Sequence, residues 1–155
     1  MKVRLEVVGI IRNLIRKEKF FKQTEPKKRN LLKETFEKLK EIYSVTGKLK
    51  FEQPGTRTGT GTSSRYCISK KQIILDKPSL VNFLHEFRHL LQYQTKIKVT
   101  NVEVDAREWS LNVFKKASPK AYENAVQKGL LLYTLDNYKE DSSRRNCFFI
   151  RLIMN

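Results

Sequence analysis

The chain has only two histidines, and they stand four residues apart in Leu84-His85-Glu86-Phe87-Arg88-His89-Leu90. On a helix, residues four apart share a face about one turn apart, so both imidazoles can reach one ion. Zinc takes nitrogen ligands at about 2.0–2.1 Å, and a helix would supply two of its four tetrahedral positions rigidly. Glu86 follows the first histidine, a place from which its carboxylate can reach metal-activated water without ligating. No third histidine is available, since position 92 is Gln and position 95 is Thr. A third ligand must then be a carboxylate, a cysteine or something less conventional. The candidates lie in Val102-Glu103-Val104-Asp105-Ala106-Arg107-Glu108-Trp109-Ser110: Glu103 first, Asp105 as the fallback. Glu103 also fits the far end of a capping box opened by Thr100, where it would bond a backbone N–H instead. Glu108 reads as a solvated helix charge, and Cys67 as a strand residue rather than a ligand.

The elements that must position these groups follow from hydrophobic spacing. Asp76-Lys77-Pro78-Ser79 opens a helix running to about Gln94, with Asp or Ser as its cap. A second helix follows Thr100-Asn101 and runs to about Lys116; a third starts at Ser118-Pro119 and stops at Gly129. Short strands are expected at 48–52, 65–69 and 72–75. Gln72–Leu75 is the expected free edge on which an extended peptide would pair. Pro54–Ser64 (PGTRTGTGTSS) matches no phosphate-loop pattern and reads as a hairpin connection that could cover a cleft.

Upstream, residues 3–20 read as a helix whose stripe of Val3, Val7, Ile10, Ile11, Leu14 and Ile15 faces the core. Pro26 and the basic run after it break that pattern. Residues 29–45 form another helix on Leu32, Phe36, Leu39 and Tyr43, with Gly47 as its C-terminal cap. The expected organisation is a basic helical region 1–47 packed on a core 48–137, then a tail 138–155, all in one compact domain.

HEFRHLLQ followed by EVDAREWS resembles the HExxH…ExEAxxFA pattern of gluzincin-type zinc metallopeptidases, most closely the ImmA/IrrE-like peptidases. The resemblance covers roughly residues 72–114. It implies an α+β fold: a minimal zincin-like domain with a small three-stranded sheet, an HExxH helix, a following glutamate helix and extra N-terminal helices. It implies Zn2+ as cofactor, His85, His89 and Glu103 as metal ligands, and Glu86 as the base. Asp105 stands at the inner acidic position, Ala106 at the small one, and Trp109-Ser110 for the usual Phe-Ala pair. Two residues depart from the pattern. Arg107 stands where an Asn or Asp commonly accepts a hydrogen bond. Arg88 replaces the usual Gly within HExxH and would point to solvent or to a carboxylate. Tyr66, Tyr93, Tyr122 and Tyr133 are the candidate electrophiles for an oxyanion, with nothing to choose among them.

The 155 residues fit one domain with a modest core, and the net charge of +16 is concentrated in residues 1–50, which carry +9. Such a surface attracts polyanions, yet no base-reading motif accompanies it. Apolar stretches fall short of the about 20 residues a membrane span needs. The N-terminus lacks the unbroken apolar run of a secretory signal. Cys67 and Cys147 read as free thiols of a reducing compartment, which points to a cytoplasmic location. The expected activity is hydrolysis of peptide bonds in an intracellular protein substrate, with non-specific nucleic-acid contact through the basic surface. The competing expectation is a basic nucleic-acid-binding or regulatory protein whose metal site is structural or vestigial.

Overall fold

The structure is a computed structural model that describes residues 3–52 and 64–131. Among these residues the chain is mixed α and β, with five α-helices and one three-stranded sheet. The helices are α1 (Leu5–Arg16), α2 (Glu25–Tyr43), α3 (Leu80–Gln94), α4 (Val102–Ala117) and α5 (Pro119–Gln127). The strands are β1 (Lys48–Phe51), β2 (Arg65–Cys67) and β3 (Gln72–Leu75). None of the helices in the described residues is long and apolar enough to cross a membrane.

The apolar stripe of α1 does face the interior: Val7, Val8, Ile11, Leu14 and Ile15 are buried, and the helix packs on α4 and α2. Its basic side is put to use as well. The Arg12 guanidinium donates to the Lys116 carbonyl at 3.2 Å and the Ala117 carbonyl at 3.4 Å, satisfying acceptors that the end of α4 leaves open. The N-terminal helices therefore share one apolar core with α3 and α4. Phe36 of α2 meets Phe83 and Phe87 of α3 edge-on, and Phe87 stacks on Trp109 of α4.

Four expectations need correcting. Pro26 does not break a helix; it lies in the first turn of α2, where a missing N–H costs no hydrogen bond. Gly47 does not cap α2, because Ser44 does so in the left-handed conformation, with Val45 N–H returning to the Lys40 carbonyl. Gly47 instead allows a close approach: a Cβ there would stand 2.8 Å from the Lys71 carbonyl oxygen and 3.0 Å from Leu90 Cδ1. Nor is β3 an edge. It lies between β1, to which it is parallel, and β2, to which it is antiparallel. Its fully buried Gln-Ile-Ile-Leu run agrees with that central place. It follows that β1 and β2 are not neighbours, so residues 54–64 do not close a hairpin between them. Residues 53–63, with their reading as a cover, and the tail 138–155 lie outside the described residues.

Candidate metal centre

Ser79 caps α3, its Oγ accepting from Asn82 N–H at 3.3 Å, and on that helix the four-residue spacing puts His85 and His89 on one face. Asn101 caps α4, its Oδ1 accepting from the N–H groups of Glu103 and Val104, each at 3.1 Å. The cap therefore comes from Asn101 rather than from a Thr100–Glu103 box, and the Glu103 carboxylate is left for other work. The two helices pack closely along their lengths. That packing sets the first turn of α4 against the middle of α3.

His85, His89 and Glu103 converge there. The two Nε2 atoms are 3.1 Å apart; Glu103 Oε1 is 3.1 Å from that of His89, and Oε2 is 3.4 Å from that of His85. In a tetrahedral zinc site with bonds of about 2.0–2.1 Å, neighbouring ligand atoms stand about 3.3–3.4 Å apart. With one ligand atom taken from each, the three side chains lie within 4.8 Å of one another, close enough to converge on one ion. The donor types fit too: imidazole nitrogen and carboxylate oxygen both offer lone pairs, and lone pairs facing one another repel unless a cation or a proton lies between them.

Burial works against charge on Glu103, but hydrogen bonds and positive charge from His85 and His89 outweigh it and hold its carboxyl far below the usual range. Burial likewise opposes charge on His89, yet its contacts with Glu103, and secondarily Glu86 and Gln92, raise its pKa on balance. Glu86 lies next to the cluster, buried at 7 % exposure. Burial lifts its pKa above the ordinary carboxylate value, with the histidines and the backbone N–H of Tyr66 in β2 pulling the other way.

Asp105 does not join the cluster. It accepts from Arg88 Nε at 2.6 Å and Nη2 at 3.1 Å, a two-pronged pair in which Arg88 has no exposed surface. Of the two destinations open to Arg88, it takes the carboxylate; it also lies over the Trp109 ring, 5.8 Å from its centre. Glu108 is exposed, and Cys67 contacts Ser69 rather than the histidines. Tyr66 and Tyr93 stack on each other, Tyr122 is buried against Phe114, and Tyr133 lies outside the described residues. Gln92 was noted in the sequence only for not being a third histidine. It proves to bond His89 Nδ1, Asp105 and the Val102 carbonyl at once, each at 2.8 Å. Its spacing of three from His89, on the same helical face, was the available signal.

None of the family models, curated proteins or solved structures compared with this chain matches it.

Proposed function

We propose that the chain is a zinc-dependent peptidase of the gluzincin kind, similar to the ImmA/IrrE-like enzymes, with a zincin-like core. One observation carries the reading: three side chains able to ligate a metal, from two helices, meet within 4.8 Å of one another beside a buried carboxylate. His85, His89 and Glu103 would hold the ion. Zinc bound there supplies a Lewis acid that polarises a carbonyl and brings the pKa of water from about 15.7 toward about 7. Glu86 accepts a proton from the attacking water and returns it to the leaving amine nitrogen, as general base and then acid. Its raised pKa suits both roles, because a carboxyl nearer neutrality gives a proton back more readily.

The sheet supports a place for the substrate. Among the described residues β2 is paired on one side only, by β3, and it packs against α3. Tyr66 N–H, in the middle of β2, is turned toward Glu86. An extended peptide adding to that edge would pass the base, with backbone hydrogen bonds fixing its register.

The test has two parts. Purified protein should bind about one zinc per chain, and Glu86→Gln should keep that zinc while losing hydrolysis of a denatured protein substrate. Undiminished cleavage by Glu86→Gln, or no zinc uptake by the wild type, would refute the proposal.

A further inference from the structure

An amide side chain fits a site either way round, but the surroundings of Gln92 leave one choice. On one side stand the Val102 carbonyl oxygen and Asp105 Oδ2, each 2.8 Å from the Gln92 nitrogen. The carbonyl can only accept. So can Asp105, a carboxylate whose two oxygens already accept from Arg88 Nε and Nη2. The Gln92 NH2 must point there, which turns Oε1 toward His89 Nδ1 at 2.8 Å. A carbonyl oxygen does not donate, so the hydrogen of this contact belongs to Nδ1. A neutral imidazole with its hydrogen on Nδ1 has its lone pair on Nε2, the atom that faces His85 and Glu103.

We infer that Gln92 is a positioning residue that fixes His89 as an Nε2 ligand, and that the buried Arg88–Asp105 pair holds Gln92 the right way round. The inference rests on the reading of His85, His89 and Glu103 as metal ligands. It also explains both departures noted in the sequence. Arg107 leaves no acceptor on α4 where one is common, and Gln92 supplies one from α3. Arg88, in place of a small residue, anchors the far end of the relay. Ligating histidines usually hand their second N–H to a fixed acceptor, and loss of such a partner typically lowers metal affinity about 10- to 100-fold.

The test uses the full chain labelled with 15N-histidine. In metal-free protein the wild type should show a slowly exchanging Nδ1–H signal from His89. Gln92→Met, an apolar side chain of similar length, should lose that signal and bind zinc about 10- to 100-fold more weakly in competition with a chromophoric chelator. A protected Nδ1–H in Gln92→Met, or its absence from the wild type, would overturn the inference. Should Gln92→Met fail to fold, the wild type decides: absence of the signal there overturns the inference. The two proposals separate cleanly. Zinc uptake without the protected signal defeats the role of Gln92, and the protected signal without zinc uptake defeats the metal reading.

Discussion

Arg88 carries a charge with no exposed surface, and Asp105, at 14 % side-chain exposure, is the carboxylate that compensates it. Removing one member of a buried pair commonly costs about 3–5 kcal/mol, because the other is left charged in a place water reaches poorly. Asp105 is not wholly enclosed, so some solvent can enter after its removal, and Asp105→Leu should cost about 2–4 kcal/mol. For a chain of this size each kcal/mol moves the melting midpoint by about 2–4 °C, so a fall of roughly 5–15 °C is expected. The double variant Arg88→Met/Asp105→Leu replaces the pair with apolar groups, a change that is often neutral or stabilising, and it should lie within about 1 kcal/mol of wild type. Urea unfolding of wild type, Arg88→Met, Asp105→Leu and the double variant, followed by circular dichroism in excess chelator, measures the coupling without any contribution from metal. Effects that add to within about 0.5 kcal/mol would show that the two residues do not act as a pair. An Asp105→Leu variant as stable as wild type would show that the guanidinium never depended on its partner.

Three other outcomes are expected. Glu103→Ala should weaken zinc binding by more than the about 10- to 100-fold lost with a merely orienting group, since Asp105 is committed to Arg88; tight zinc in that variant would remove Glu103 from the ligand set. Gly47→Ala should destabilise by about 1–3 kcal/mol in urea, because its Cβ would stand 2.8 Å from the Lys71 carbonyl oxygen and push β1 off β3; an unchanged midpoint would mean the strand shifts freely. The Cys67 thiol pKa is lowered, chiefly by the Ser69 hydroxyl and then by the Lys70 backbone, so in a Cys147→Ser background it should react with iodoacetamide near neutral pH faster than an unperturbed thiol, and an equal rate would contradict this.

What was legible in the sequence was local. The stripe of α1, the caps near Ser79 and Asn101, and the four-residue spacing of the histidines are all patterns within one or two turns. What was not legible was set by partners far along the chain. The order of the sheet is one case: a buried run such as Gln72–Leu75 suits a central strand, but short strands in series suggest a meander, and only the parallel pairing of β1 with β3 excludes it. The fate of Pro26 is another. Proline looks the same before a helix and inside its first turn, and here the cap residue Thr24 makes no side-chain hydrogen bond that would mark the start, so only the packing of α2 shows which holds. The choice among Glu103, Asp105 and Glu108 likewise awaited the packing of α4 on α3.

That choice has a reason that can be stated in helical geometry. Glu103 and Asp105 are two residues apart, hence about 200° apart around α4, so one helix cannot offer both to the same point. Along α3 run two pairs with four-residue spacing, His85–His89 and Arg88–Gln92, on adjoining strips of one face. Glu103 meets the first pair, and Asp105 meets the second. Each carboxylate is thereby matched to a different set: one to the Nε2 atoms of two imidazoles, the other to a guanidinium and an amide that already supply their hydrogens. Exchanging the two assignments would leave Arg88 buried without its anion and give the histidines a carboxylate already engaged. The arginine inside the histidine motif is thus what frees Glu103, by occupying the competing acid, and the two strips of α3 have to be read together for either to make sense.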